Sequence, residues 1–200
     1  MSATTPAGET AVAGDLSQRR VLVHVGGSVA AYKAADVVTL LRRRGADVRV
    51  AMTRAATQFV GPLTLRSLSG HAVVTDLFDP PEPGAGMEHL SLSQWAELQV
   101  VVAASANLIA RLALGLADDA VTATALACRA PMLIAPAMET AMWEHPATAA
   151  HVETLRSRGV AQVGPVTGRL ASGREGLGRM AEPDAIVAAA VALLRRAAGG

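Results

Sequence analysis

Nearly continuous apolar runs alternate with segments of helical periodicity along most of the chain. The first run, residues 20–25 (RVLVHV), ends in Gly26–Gly27–Ser28, and residues 29–44 follow with apolar positions at helical spacing. Such a run is typical of a parallel strand buried on both faces, and the glycine at 45 is typical of a helix end. With a second strand predicted at 47–52 (DVRVAM), the pattern predicts one strand–helix–strand unit.

The same alternation continues to the C-terminus. It predicts further strands at 72–74, 98–104, 132–135 and 160–163, and helices at 55–59, 62–69, 106–115, 119–128, 146–158 and 183–197. Residues 79–88 form a loop rich in Pro and Gly, and 164–182 form a glycine-rich segment. Strands alternating with helices predict an α/β fold, a single-domain doubly wound parallel sheet of the Rossmann or flavodoxin-like type with helices on both faces. We expect this domain to span 20–200, after a disordered tail at 1–19.

Composition narrows the classes of function. The chain has 200 residues, 51% of them hydrophobic, and a formal net charge of +1, without a basic stripe interleaved with aromatic residues, so a nucleic-acid partner is not expected. We expect no membrane span, because no charge-free apolar run reaches the required length. Cys128 is the single cysteine, which rules out an internal disulfide and a multi-thiolate metal site; we expect no metal. The N-terminus lacks the features of a signal peptide, so we expect a cytoplasmic enzyme.

Small and polar residues follow the predicted strands at their carboxyl ends, where doubly wound sheets bind ligands. These positions are Gly26–Ser28, Thr53, Ser105–Asn107 and Pro136–Glu139, and we expect them to converge on one site. The turn GGSVA leads into a helix N-terminus, which favours a phosphate, although a glycine-rich turn can also simply be tight. The turn matches neither the dinucleotide fingerprint G-x-G-x-x-G nor a phosphate-binding loop ending in Gly-Lys-Ser/Thr.

Five segments together resemble a known family. They read GGSVAAYK, MT-x-AA-x-x-F at 52–59, MEHLSLSQWAE, AASANLIARLALGLADD and PAMETAMW at 136–143. In order and spacing they resemble the homo-oligomeric flavin-containing cysteine decarboxylases, over about residues 20–195. That family includes phosphopantothenoylcysteine decarboxylase and the decarboxylases that act on C-terminal cysteines of ribosomal peptides.

The resemblance implies FMN as the cofactor and a homo-oligomer, a trimer or a dodecamer of trimers, with the FMN site between subunits. It implies that Gly27, Ser28 and Thr53 contact the FMN phosphate. The full set of implied cofactor contacts is Gly27, Ser28, Val29, Thr53, Phe59, Ser105, Ala106, Asn107 and Met138. His89 matches the family's catalytic histidine, whose imidazole can exchange protons near neutral pH; by itself, a loop histidine is more often an ordinary surface residue.

The implied substrate contacts are Glu139, Met142 and Ser172, and two of them depart from the family pattern. Glu139 stands where the family has an asparagine that holds the substrate carboxylate, and an ionised glutamate would repel that group. Ser172, in the flap LASGREGLGRM, lies near the position of a cysteine, and a hydroxyl is a far weaker acid than a thiol. In the segment that begins at 103, Ala103 replaces Pro and Leu108 replaces Thr.

Three hypotheses follow. The first is oxidative decarboxylation of a peptide's C-terminal cysteine to an aminoenethiol, favoured by Ser172 and by the absence of a fused second domain, with a product lighter by carbon dioxide and two hydrogens. The second is decarboxylation of phosphopantothenoylcysteine in coenzyme A biosynthesis, favoured by motif order. The third is an FMN-binding regulatory protein without catalytic activity, favoured by the substitutions at 139 and 172.

Overall fold

A computed structural model of the protein describes residues 15–78 and 87–198. Within these residues a parallel six-stranded sheet has the spatial order β3-β2-β1-β4-β5-β6. Its strands are β1 (Arg20–Val25), β2 (Asp47–Met52), β3 (Val73–Val74), β4 (Leu98–Ala104), β5 (Met132–Pro136) and β6 (Ala161–Gln162). The strand order reverses between β1 and β4, as in doubly wound sheets, so the predicted fold class is confirmed.

Helices connect and cover these strands. They are α1 (Ala34–Arg43), α2 (Pro62–Ser69), α3 (Glu88–Trp95), α4 (Ala106–Leu114), α5 (Ala120–Ala127), α6 (Thr140–Trp143), α7 (Pro146–Ser157) and α8 (Pro183–Ala198). Two short 3-10 helices occupy Val29–Lys33 and Ala56–Gln58. None of the helices in the described part of the chain combines the length and apolar character needed to cross a bilayer.

The two faces of the sheet bury separate apolar clusters, because successive residues of a strand point to opposite sides. On one face Val21, Val23 and Val25 of β1 pack in a cluster that includes residues of α1, α2 and α8. On the other face Leu22 of β1 packs in a cluster that includes residues of α3, α4, α5 and α7. The apolar run at 20–25 is thus buried on both faces, apart from Arg20.

Three differences from the sequence predictions concern the elements themselves. The predicted tail reaches too far, since Leu16 is 1% exposed, packs in the core, and its N–H donates to the carbonyl of Arg44 at 3.1 Å. The predicted helix at 29–44 begins with a 3-10 turn. The glycine-rich segment at 164–182 contains an antiparallel hairpin of β7 (Val166–Arg169) and β8 (Glu175–Arg179). Residues 1–14 and most of the predicted loop at 79–88 lie outside the described residues.

Candidate active site

Two adjacent glycines bring the carboxyl ends of neighbouring strands into close contact. A Cβ at Gly26 would lie 2.3 Å from the carbonyl oxygen of Ala103, and a Cβ at Gly27 would lie 2.3 Å from Cβ of Ala55. No other residue could occupy either position without a shift of backbone. Ala103 itself has φ +57, a left-handed conformation that proline cannot adopt.

Ser28 follows these glycines and is the strongest polar candidate of the turn. Its Oγ is buried and forms no hydrogen bond within the described residues. It directly precedes the 3-10 helix Val29–Lys33, at an N-terminus where backbone N–H groups are free to meet an anion. A buried hydroxyl without a partner is costly in a folded protein, so this position fits a ligand that supplies acceptor oxygens.

The other polar residues at the strand ends are partly engaged. Thr53 is buried, and its Oγ1 accepts a hydrogen bond from the N–H of Ala56 at 3.1 Å, which leaves the hydroxyl hydrogen free to donate. Ser105 caps α4 by accepting from the N–H of Leu108 at 3.3 Å. Ala106 and Asn107 begin α4, and Asn107 is exposed.

A cavity of about 560 Å³ lies between the first turn, the segment after β5 and the β7–β8 hairpin. Ser28, Val29, Met138 and Glu139 line it, so the structure brings together predicted residues from the ends of β1 and β5. Thr53, Phe59, Ser105, Ala106, Asn107, Met142 and Ser172 are not among its lining residues. A separate cavity of about 350 Å³ is lined by Gln99 and Met132, at the amino ends of β4 and β5, and by none of the predicted site residues.

The hairpin is fixed to the segment after β5 by close backbone contact. The N–H of Met138 donates to the carbonyl of Gly178 at 3.0 Å, and a Cβ at Gly178 would lie 2.2 Å from the carbonyl oxygen of Met138. At the hairpin tip, Ser172 Oγ donates to Glu139 Oε2 at 3.1 Å. The two substitutions at 139 and 172 therefore contact each other.

Cationic side chains that the sequence analysis did not single out also line this cavity. They are Lys33, Arg169 and Arg179. Lys33 Nζ lies 2.9 Å from Glu182 Oε2, and Arg179 pairs with the same carboxylate. The hydrogen bond from Lys33 is the main cause that lowers the pKa of Glu182. The sequence offered a signal for Lys33, which ends the motif GGSVAAYK. It offered none for Arg169 and Arg179, which line the cavity because they lie on the hairpin.

His89 lies elsewhere. It is in the first turn of α3 and lines a second cavity of about 400 Å³ with Phe78, Leu90 and Leu126 among its neighbours. Its Nδ1 is buried and has no hydrogen-bond partner within the described residues. One copy of the chain therefore does not place His89 in the cavity that contains Ser28 and Glu139.

Several apolar side chains near the candidate residues face outward. Phe59 is 50% exposed and Met142 is 47% exposed, while Phe78, beside His89, is 87% exposed.

Among the described residues no group of three or more His, Cys, Asp and Glu side chains could hold a metal ion. The GLADD segment instead forms an ion-pair cluster. Arg111 of α4 pairs with Asp118, and its Nη1 lies 2.8 Å from Asp119, whose side chain caps α5. This motif therefore fixes the connection between α4 and α5 in the described structure.

A family model described as Flavoprotein matches residues 9–195. The chain belongs to the Flavoprotein family. The coenzyme A biosynthesis bifunctional protein CoaBC of Mycobacterium tuberculosis is 48% identical over 179 residues, which are 89% of this chain and 42% of that protein. The chain thus spans less than half the length of the curated relatives that it matches.

Two solved structures are similar over nearly their full length. The FMN-dependent cysteine decarboxylase SpaF is 35% identical with a TM-score of 0.77, over 90% of this chain and 99% of SpaF. A mutant PPC decarboxylase complexed with pantothenoylaminoethenethiol is 31% identical with a TM-score of 0.77, over 92% of this chain and 100% of that chain. The resemblance of this flavoprotein to the flavin-containing cysteine decarboxylases is thereby confirmed.

Proposed function

We propose that this flavoprotein is an FMN-dependent decarboxylase of phosphopantothenoylcysteine that serves coenzyme A biosynthesis. The observation that carries the proposal is the cavity that joins the buried, unpartnered Ser28 hydroxyl to the segment after β5 and to the hairpin. The choice of substrate rests on 48% identity to CoaBC, which is named as a coenzyme A biosynthesis protein. The single cysteine accords with a cytoplasmic location.

The residues present fit an FMN phosphate. Ser28 Oγ has no hydrogen-bond partner within the described residues and can donate to a phosphate oxygen. Gly27 has no side chain to block the turn, and the backbone N–H groups at the start of the helix Val29–Lys33 can also donate to the phosphate. Thr53 can donate its hydroxyl hydrogen, and we assign the flavin ring to Ser105, Ala106 and Asn107, with Phe59 and Met138 at its edges. FMN, when bound, supplies the two-electron oxidation that turns the cysteine thiol into a thioaldehyde, from which carbon dioxide can leave.

We propose that His89 acts on the site of a second copy of the chain. Its unpartnered Nδ1 can accept a proton, but its own cavity is not the one that Glu139 lines. Apolar side chains around it are available for contact, since Phe78 is 87%, Leu126 61% and Leu90 42% exposed. A homo-oligomer, a trimer or a dodecamer of trimers, would bury these side chains and complete the site.

We propose further that Ser172 and Glu139 together replace the acid of the flap cysteine. A lone hydroxyl is a poor proton donor. Here the hydroxyl donates to a carboxylate oxygen at 3.1 Å, and a carboxylate can receive and return protons through such a bond. The pair then relays a proton from solvent to the substrate carbon next to the one to which reduced FMN would return the hydride, so that both side chains end in the protonation states in which they began, while Met142 on α6 contacts the substrate at the outer side.

Decarboxylation of a cysteine-terminated peptide remains the second candidate, because the flap carries Ser172 near the position where the resemblance implies a cysteine. The two functions leave different products. Full reduction removes carbon dioxide alone, whereas release of the enethiol removes carbon dioxide and two hydrogens. An FMN-binding regulatory protein would release no carbon dioxide from either substrate.

The test is mass spectrometry of the products from phosphopantothenoylcysteine and from a peptide ending in cysteine. We expect turnover of phosphopantothenoylcysteine to a product lighter by carbon dioxide alone. Turnover of the peptide alone, or an enethiol as the final product, would refute the proposal. Absence of carbon dioxide from both substrates with FMN bound would favour the regulatory function.

A further inference from the structure

One wall of the cavity is cationic. Lys33 ends the first 3-10 helix, Arg169 ends β7 and Arg179 ends β8, and all three line the same cavity. Glu139 is the carboxylate in that lining, and its Oε2 accepts from Ser172. The lining residues therefore carry a net positive charge.

The two arginines lie on different strands of the hairpin, Arg179 paired with Val166 and Arg169 paired with Glu175. Gly168 precedes Arg169, and a Cβ at Gly168 would lie 3.0 Å from Cδ and 3.2 Å from Nη1 of Arg179. The Arg179 side chain thus crosses β7 at the one residue of that strand without a side chain. Neighbouring residues of a strand point to opposite faces, so this crossing lies on the face opposite to Cβ of Arg169, and the two side chains meet only in the cavity that both of them line.

These cations differ in how far their charge is already neutralised. Lys33 and Arg179 share the carboxylate of Glu182. Arg169 has no ion pair or hydrogen bond from its guanidinium within the described residues, although Glu175 is its cross-strand partner. One cationic group in the lining of the cavity, that of Arg169, is thus available to an anion.

We propose that Arg169 and Arg179 form a subsite for the phosphomonoester at the end of the substrate that is remote from its cysteine. The inference rests on the proposed function and deepens it, because it names the part of the substrate that the hairpin recognises. Guanidinium groups bind phosphate oxygens through paired hydrogen bonds. A cysteine-terminated peptide without a phosphate gains nothing from this subsite, so the two arginines favour the phosphorylated substrate.

The phosphate group that binds these arginines could belong to FMN instead of to the substrate. The two sources are distinguishable, because loss of a flavin contact lowers FMN content, whereas loss of a substrate contact lowers the preference for phosphorylated ligands. The informative variant is Arg169→Gln. The matched control is Arg174→Gln, which removes the same charge from the tip of the same hairpin but does not line the cavity.

The experiment measures binding and turnover with FMN-loaded protein. Calorimetry compares phosphopantothenate with pantothenate, and kinetics compare kcat/KM for phosphopantothenoylcysteine with that for its unphosphorylated form. We expect Arg169→Gln to lower both preference ratios about tenfold, the size of one charge-assisted hydrogen bond at a partly exposed site. Arg174→Gln should keep both ratios within about twofold of the parent protein.

Equal binding of the two ligands by the parent protein would overturn the subsite, as would unchanged ratios in Arg169→Gln. A fall in FMN content with unchanged ratios would assign the wall to the flavin phosphate and overturn it as well. Preferred binding of the phosphorylated ligand without turnover would support the subsite and refute the proposed function. The two proposals can therefore fail separately.

Discussion

Protonation of His24 should destabilise the fold in mild acid. His24 lies in the central strand β1, is fully buried and has Ala51 of β2 and Val101 of β4 as its register partners. Its Nε2 lies 3.1 Å from Oε1 of Gln99, whose Nε2 donates to the carbonyl of Ala130 at 3.0 Å. Because the amide oxygen is the acceptor, His24 carries its proton on Nε2, and its buried Nδ1 has no partner within the described residues.

Burial lowers the pKa of His24 from 6.5 to about 4, although the hydrogen bond to Gln99 and the charge of Asp119 oppose the shift. In the unfolded chain the imidazole takes up a proton near 6.5, whereas in the folded chain it stays neutral until about pH 4. Above pH 6.5, His24 therefore causes no loss in the free energy of unfolding. As the pH falls from 6.5 towards 4, the free energy of unfolding declines, because unfolding lets the imidazole take up a proton. A shift of about 2.5 units corresponds to about 3 kcal/mol, of which about 2 kcal/mol is lost between pH 7.5 and 5.

The assay is urea unfolding of FMN-saturated protein at pH 7.5 and at pH 5, at one fixed protein concentration because oligomers and ligands shift apparent stability. His24→Leu removes the titrating group, and we expect it to reduce the pH-dependent loss of unfolding free energy by about 2 kcal/mol relative to the parent. Any constant cost of the unpaired Gln99 cancels in that difference. His151→Leu, on α7, is the control and should keep the parental loss. An equal loss in the parent and His24→Leu would refute the assigned pKa shift.

Four further outcomes are expected. The cofactor released on denaturation should have the mass of FMN, and detection of FAD or of no flavin would contradict the assignment. His89→Asn should lower carbon dioxide release by at least about a hundredfold with FMN retained, whereas His151→Asn should turn over like the parent; parental activity in the first variant would remove His89 from the mechanism. Light scattering should show a homo-oligomer that Phe78→Glu weakens, and a monomer with tightly bound FMN would contradict a shared site. Ser172→Ala and Glu139→Asn should each shift the product towards the enethiol by mass spectrometry, and a saturated product from both would exclude the pair as the acid.

The sequence was most informative in the central strands, where apolar residues predominate. The segments 20–25, 47–52 and 98–104 form strands with those bounds, because most of their residues are apolar and pack on the two faces of the sheet, and polar residues such as His24 and Gln99 are isolated among them. The hairpin at 166–179 was not predicted, since half-exposed strands rich in Gly and Arg have no apolar alternation. Leu16 was assigned to a tail because one buried leucine produces no periodicity.

The candidate site was predictable as far as it depends on single strand ends. The sequence pointed to Ser28 and Glu139 through the positions that follow β1 and β5, and both line one cavity. The cationic wall was missed because Arg169 and Arg179 reach the cavity only through the register of the hairpin and through the missing side chain of Gly168. The place of His89 relative to that cavity depends on how copies of the chain assemble, which no local pattern encodes.

The contact between residues 139 and 172 changes how both substitutions are interpreted. Taken one at a time, Glu139 would repel the substrate carboxylate and Ser172 would be a poor acid, so each argues against a complete reaction. In the structure the hydroxyl of Ser172 donates to the Glu139 carboxylate, which turns one oxygen of the glutamate towards the flap and gives the serine a proton-accepting neighbour. If the two substitutions compensate each other, the double variant Glu139→Asn with Ser172→Cys should retain more activity than either single variant, because each single change leaves one unmatched partner. Additive losses would show that the hydrogen bond has no role in the reaction.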